Sequence, residues 1–318
     1  MPLDTPFFIV LNAGSGKRDT ETVEATIRSV LEEVGRHYDL ARADHPRQLP
    51  GLARRAVELA QQQQGAVIAA GGDGTINAVA QMALNSGQPF GVLPQGTFNY
   101  FSRTHGLPTD TAKATRVLLD ATVRLVQVGL INDRVFLVNA SLGLYPRLLE
   151  EREAYKQQFG RSRFVALCAG VITLLRQHRQ LVLSLEHEGQ SEILRTPTLA
   201  VGNNPLQIEQ IGIPHAHAVQ QGLLVAMTVR PIGTLALLGL LCRGAMGQLG
   251  NADNVVSFAF DRLTVRPYRR RRMKVAMDGE VTWLNTPLVF RVAPHPLPLL
   301  VPARAISTSP ADADEDVL

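Results

Sequence analysis

The sequence predicts an α/β N-terminal domain on a mostly parallel sheet, followed by a largely antiparallel β domain. Three observations carry this. Short apolar runs alternate with helical patterns over the first 125 residues, the texture changes near Leu125 to closely spaced runs rich in Val, Leu and Thr, and 318 residues suit two domains that each bury a core. The expected boundaries are residues 1–125, residues 126–305, and an acidic tail, 306–318, expected to be disordered.

Taken in order, FFIVLN (7–12) is a strand, TETVEATIRSVLEEVG (20–35) an amphipathic helix and PGLARRAVELAQQQ (50–63) a second helix. GAVIAA (65–70) is a strand, TINAVAQMALNS (75–86) a helix and PFGVLP (89–94) a strand. Such βαβ punctuation places helices on both faces of a parallel sheet, with ligands beyond the carboxyl ends of its strands. Beyond it, the runs at 124–141, 180–189, 196–203, 222–231, 262–268 and 273–281 read as antiparallel strands. Two apolar runs interrupt them, Phe164 to Leu175 and Ile232 to Cys242. Both are well short of the roughly 20 residues that span a bilayer. They read as core helices or as helices exposing one face at a membrane surface.

Composition narrows the partners. The net charge of +4 includes four acids in the tail (Asp312, Asp314, Glu315, Asp316), so the body is more basic than the total shows and favours anions: a nucleotide, nucleic acid or an anionic membrane. Cys168 and Cys242 lie in apolar runs and read as buried thiols in a reducing compartment. Phe7 to Leu11 is too short for a signal peptide, which points to the cytoplasm.

Chemistry concentrates at three strand ends. After GAVIAA, Gly71 and Gly72 allow close backbone approach, and Thr75 and its neighbours open a helix whose free N–H groups and positive dipole end face the same place. A phosphate seat and an ordinary tight turn both fit. NAGSGK (12–17) and QGTFNY (95–100) follow two other strands, so three loops can converge on one edge. Neither standard fingerprint applies. A P-loop needs Gly where Leu11 stands and Ser or Thr where Arg18 stands, and a dinucleotide motif fails at Asp19.

NAGSGK, GGDGTINAVA, GVLPQGTFNYFSRTHGLP, VNASLGLYPRLLE and VAMDGE, in that order, resemble the catalytic domain of diacylglycerol kinases and bacterial lipid kinases, relatives of sphingosine kinases and NAD kinases. The resemblance implies a two-domain fold with ATP and Mg²⁺ in a cleft. It implies phosphate binding by Gly71, Gly72, Asp73, Gly74, Thr75 and Asn77, with Gly96, Thr97 and the loop residues Asn12, Ser15, Gly16 and Lys17 nearby. Asp278 would be the general base, supported by Glu280. Phosphoryl transfer asks mainly for positioning and charge neutralisation, and an alcohol acceptor needs one carboxylate in reach of its hydroxyl. Asp278-Gly279 is equally a strong hairpin signal, and the two roles are compatible.

The chain departs from the family pattern at Ala78 (usually Glu), at Phe98 and Tyr100 (usually Gly and Asp), and at Gln220 and Gln221, where acids are common. One metal-side carboxylate and a structural metal site are therefore in doubt. Asp73 remains as a metal-positioning carboxylate or simply a first-turn helix acid. His215 and His217 are spaced to chelate from one face of a strand, but no third ligand is evident and a surface loop fits as well. Arg269 to Arg272 and Lys274 read as a strand with half its cations on one face, suited to anionic headgroups or to solvent. Nucleic acid is disfavoured because no aromatic residue interleaves within that run. The expected function is an ATP-dependent lipid kinase that phosphorylates a hydroxyl of a diacylglycerol-like or other long-chain lipid at the membrane surface. A homodimer is compatible. A soluble kinase of the NAD kinase type, or a nucleotide- or lipid-binding protein without catalysis, are the alternatives.

Overall fold

The structure, a computed structural model, describes residues 4–14, 19–150 and 180–303. The chain divides into two compact units. One is Gln127–Pro296, and the other combines the chain up to Val126 with the stretch from Leu297.

The first unit is built on a six-stranded sheet of order β2-β1-β3-β4-β18-β5. β1 (Phe7–Asn12), β2 (Tyr38–Ala43), β3 (Ala66–Gly71) and β4 (Phe90–Pro94) run parallel. β3 and β4 are buried throughout, as strands covered on both faces must be, which is why each reads as an unbroken apolar run. β2 is an edge strand with an irregular exposure pattern, and no apolar run announced it. α1 (Thr20–Glu33) starts at Asp19, whose carboxylate accepts from Glu21 N–H, and buries Val23, Ile27, Val30 and Leu31 at helical spacing. α2 (Leu49–Gln63) ends where Gln64 turns left-handed, α3 (Asp73–Ala83) buries Thr75, Ile76, Val79, Ala80 and Ala83, and α4 (Tyr100–Thr104) is one turn. α5 (Thr111–Leu119) is capped by Asp110. β5 (Thr122–Val126) pairs antiparallel with β18 (Leu297–Val301), which also runs beside β4.

The expected second domain, 126–305, is thus divided differently. Leu297, Leu299 and Leu300 are fully buried, and backbone pairing with β4 and β5 draws the end of the chain into the first sheet. The expected tail lies outside the described residues.

The second unit is a sandwich of two antiparallel sheets. One has the order β10-β9-β14-β17-β6-β7: β6 (Gly129–Ile131), β7 (Arg134–Phe136), β9 (Leu181–His187), β10 (Gln190–Thr196), β14 (Arg262–Pro267) and β17 (Leu288–Val292). The other has the order β13-β12-β11-β8-β15-β16: β8 (Asn139–Gly143), β11 (Thr198–Gly202), β12 (Leu224–Val229), β13 (Val255–Phe260), β15 (Arg272–Met277) and β16 (Glu280–Asn285). Their facing side chains, among them Phe136, Phe290, Leu142, Val201, Leu263 and Val275, form one core.

Two expectations are corrected here. Cys242 is exposed rather than buried, because the helix Thr234–Ala245 buries Leu237 and Leu240 against the second unit, while Leu235 and Cys242 lie on its exposed side. Cys168 and the run Phe164 to Leu175 lie outside the described residues. The arginine run is not one strand either. Tyr268 to Arg271 form the turn between β14 and β15, with Arg269 at φ 55°, and only Arg272 and Lys274 occupy strand positions.

Candidate active site

In the first unit, three strand ends meet. Asn12 closes β1 with its Nδ2 donating to Thr75 Oγ1 at 2.8 Å, while its Oδ1 accepts from Gly14 N–H at 3.0 Å. Gln95 N–H, after β4, donates to the Gly71 carbonyl at 2.8 Å. Gly96 lies against Gly72: a Cβ on Gly96 would stand 3.1 Å from Gly72 Cα and 2.7 Å from Asn99 Oδ1. Asn99 is buried at φ 47° and its Nδ2 donates to the Gly96 carbonyl at 2.8 Å, locking the loop.

The two adjacent glycines do different work. A Cβ on Gly71 would fall 2.5 Å from Thr75 Cβ, so Gly71 is required by packing. A Cβ on Gly72 would meet nothing nearer than 3.6 Å, and its φ of −79° suits any residue. Gly72 is the N-cap of α3 and supplies no side-chain cap, so the first N–H groups of an 11-residue helix start from bare backbone, a seat that suits an anion. Asp73 stands in that first turn, Gly74 and Asn77 are half-buried along it, and Thr97 is exposed. Ser15, Gly16 and Lys17 lie outside the described residues. Phe98 and Tyr100, which depart from the family pattern, stack with centroids 6.1 Å apart and planes 5° apart, and Phe98 is 52% exposed beside the seat.

The second unit holds the carboxylates. Asp278 and Gly279 sit at φ 46° and 88° in a two-residue turn between β15 and β16, the geometry an Asp-Gly hairpin requires. The Asp278 side chain has a second function that its turn position does not reveal. Its carboxylate is buried and accepts from Leu137 N–H at 2.7 Å, Val138 N–H at 2.9 Å and Asn139 N–H at 3.0 Å. It therefore ties the hairpin to the connection between β7 and β8. Asn203 braces the same connection, donating to the Leu137 carbonyl at 3.1 Å. Glu280 is exposed as a residue, yet desolvation of its carboxyl and then the Asp278 charge raise its pKa above the ordinary carboxylate value.

Asn139 leads from Asp278 to a cavity of about 350 Å³ on the outer face of its sheet. Ala200, Val225, Met227 and Val229 form its floor, and Leu237 and Leu240 line it from the helix Thr234–Ala245. Neighbouring residues Leu199, Val201 and Ala226 point to the opposite face, into the sandwich core. Apolar demand on both faces explains why TLAVG and LVAMTV read as continuous runs rather than alternating strands. The polar groups at the cavity are few: Asn139 Nδ2 donates to Gln207 Oε1 at 2.7 Å, and the buried Ser141 hydroxyl has no hydrogen-bond partner among the described residues. Sequence reasoning missed Ser141, Asn203 and Gln207. VNAS and GNNP were visible as polar interruptions of apolar runs, but their partners lie 66 to 140 residues away.

Among the described residues, no three His, Cys, Asp or Glu side chains cluster to hold a metal. His217 lies in a 3₁₀ turn (Ala216–Gln221) and His215 precedes it as N-cap at φ 75°, so neither sits on a strand face, and His217 is exposed. Gln220 and Gln221 are exposed at the end of that turn. Mg²⁺ arriving with nucleotide phosphates needs only one or two protein carboxylates, and Asp73 fits that requirement. No helix among the described residues is long and apolar enough to cross a membrane.

Comparison with known proteins bears on the family and the fold. The diacylglycerol kinase catalytic domain model matches residues 6–131. The diacylglycerol kinase of Bacillus subtilis (strain 168) is 26% identical over 283 residues, 86% of this chain and 88% of its own. A Staphylococcus epidermidis protein whose name places it among lipid kinases is 30% identical over 239 residues, 72% of this chain and 74% of its own. The crystal structure of a diacylglycerol kinase from Bacillus anthracis str. Sterne shares the fold at a TM-score of 0.67 and 18% identity, covering 98% of this chain and 99% of that one. The chain belongs to the diacylglycerol kinase catalytic domain family, a family of lipid kinases.

Proposed function

We propose that this protein transfers the γ-phosphoryl group of ATP to a hydroxyl of a long-chain lipid. The observation that carries the reading is the apolar cavity, one of whose few polar residues, Asn139, is bonded to a buried carboxylate. About 350 Å³ holds roughly a dozen water-sized groups at about 30 Å³ each, which suits an alkyl chain. The Ser141 hydroxyl, two residues or roughly 7 Å along β8 from Asn139, offers a hydrogen bond to an ester or hydroxyl oxygen.

On this reading the bare start of α3, with Gly72 and the Gly96 loop, binds the ATP phosphates, and Mg²⁺ neutralises their charge. The carboxylate pair takes the acceptor proton. On this reading the Asp278 carboxylate, held by three backbone N–H groups, accepts the proton of the lipid hydroxyl. Glu280 stands beside it, its pKa raised above the ordinary carboxylate value by desolvation and then by the Asp278 charge. The proton leaves the lipid hydroxyl as its oxygen attacks the γ-phosphorus and ADP departs.

The test is phosphorylation of a lipid panel with labelled ATP, on the unmodified chain and on Ala200→Phe, which fills the cavity. We expect one long-chain acceptor class to be labelled, and the variant to raise its KM at least tenfold while ATP affinity holds. An unchanged lipid KM in a folded variant removes the cavity from the reading. No labelled lipid, despite measurable ATP affinity, favours a non-catalytic binder, the alternative that Tyr100, Gln220 and Gln221 support.

A further inference from the structure

The helix Thr234–Ala245 breaks a rule that surface helices obey. An amphipathic helix buries one face and shows polar residues on the other. Here the covered side carries Leu237 and Leu240, which line the apolar cavity. At helical spacing on the opposite side stand Leu235, Leu238 and Cys242, continued past the helix end by Met246. Leu235 is 83% exposed, Met246 62% exposed and Leu238 half-buried. Gly239 belongs to the same side, and a Cβ there would meet nothing within 4 Å. From Pro231 to Ala252 the sequence contains no acid and a single charge, Arg243. The helix is therefore apolar both towards the cavity and towards the outside.

We propose that this outer stripe docks on a lipid monolayer, with the helix lying in the plane of the surface. Three observations choose lipid as the occupant. The first is continuity. Leu241 stands between the two sides, lining the cavity while 46% exposed, so apolar surface leads from the outer stripe to the cavity. An acyl chain can follow that route without entering water, an argument that rests on the acyl-chain reading of the cavity. The second is charge. Arg230 precedes the helix and Arg243 stands in its last turn, both exposed, which suits anionic headgroups at the rim of an inserted apolar face. The third is area. A helix of 12 residues is about 18 Å long and about 10 Å wide, so its outer side offers roughly 200–300 Å². A stable protein–protein interface buries about 800 Å² per partner, so a second copy on this stripe alone falls well short. A lipid surface asks only for an apolar face that sinks about 5–10 Å.

Cys242 lies on the stripe and is exposed, so it can carry the probe, and Cys168→Ser leaves it the only thiol of the chain. The full chain, labelled there with an environment-sensitive dye, is titrated without ATP against vesicles of phosphatidylcholine, alone or mixed with phosphatidylglycerol. We expect a blue shift with both, roughly tenfold less lipid being needed when phosphatidylglycerol is present. Bromine atoms carried on the acyl chains should quench the dye. Leu235→Asp should raise the lipid needed roughly tenfold at an unchanged melting temperature, because that side chain is almost wholly outside the fold. If the variant loses its melting transition, Met246→Asp, beyond the helix end, gives the same reading. No emission change, binding without acyl-chain quenching, or an undiminished response in the variants overturns the proposal. So does emission already blue-shifted in buffer: dependence on protein concentration would show that a second copy covers the stripe, and independence that the chain itself does. Phosphorylation plays no part in these readings. A chain that labels lipid while its stripe stays in water leaves the kinase reading standing and removes this one; a chain that inserts but labels no lipid does the reverse.

Discussion

Asp278 and Glu280 sit two residues apart and face opposite demands. Asp278→Asn keeps a good hairpin residue but sets an amide NH₂ among three backbone N–H donors. Hydrogen bonds to charged groups contribute roughly 1.5–3 kcal/mol each, so the melting temperature is expected to fall with turnover. That substitution cannot separate chemistry from fold; Glu280→Gln can. It should lower turnover by about 10²–10⁴-fold with ATP affinity intact. The sign of its stability effect follows from linkage. A carboxyl whose folded pKa is raised favours the fold while protonated, and that contribution is lost as pH rises through the folded pKa. Glu280→Gln should therefore raise the melting temperature at pH 7 and leave it unchanged below the ordinary carboxylate range. Equal melting at both pH values, with normal turnover, would strip Glu280 of both roles.

Among the elements, the passage from β3 to α3 is the proposed seat of the nucleotide phosphates. Gly71→Ala should destabilise by about 1–3 kcal/mol, since its Cβ would collide with the Thr75 side chain in a filled space. Gly72→Val has room within the protein and should melt close to the parent. It should nonetheless weaken ATP binding at least tenfold, about 1.4 kcal/mol, because the branched side chain occupies the phosphate approach. Thermal melts and ATP titration on the two variants test this division; equal ATP affinity in a folded Gly72→Val refutes it. The end of α4 carries a pH dependence of its own. His105 stacks edge-on against Phe101, and its Nδ1 lies 2.9 Å from Arg124 of β5. Burial and then the Arg124 charge lower its pKa to about 4. A neutral histidine in the fold costs stability as pH falls from about 6.5, where the unfolded chain protonates, towards about 4. At most about 3 kcal/mol is lost over that window. Urea melts from pH 7 to 4 should show the decline in the parent and a flatter profile in His105→Gln.

Over the whole molecule, the chain crosses between units twice. It leaves the first after β5 and returns as β18, so the first unit is completed by residues far from it in sequence. A chain ending at Pro296 loses the strand between β4 and β5, with Leu297, Leu299 and Leu300 from the core. We expect that truncation to abolish cooperative folding of the first unit, visible as loss of ATP binding and of one melting transition. ATP binding retained by the truncated chain would show that β4 and β5 close the sheet without it.

Local pattern determined much of this protein. β1, β3 and β4 were legible because strands buried on both faces must be apolar throughout, and α1 because burial on one side imposes helical spacing. The Asp-Gly turn was legible because few residues accept its positive φ, and the glycine loop because a strand end that meets a helix start leaves no room for a Cβ at Gly71. Edge strands were not. β2 and β10 expose too many positions to carry an alternating pattern, and β18 resembles any apolar run until its partners are known. Only the tertiary structure decided that Cys242 faces outward, that the arginine run bends into a turn, and that the Asp278 carboxylate holds amides about 140 residues away. The physical reason is common to all three. Hydrophobicity and turn preference are properties of neighbouring residues, whereas which face of a helix is covered, and which amide a carboxylate meets, depend on chain segments that only folding brings together.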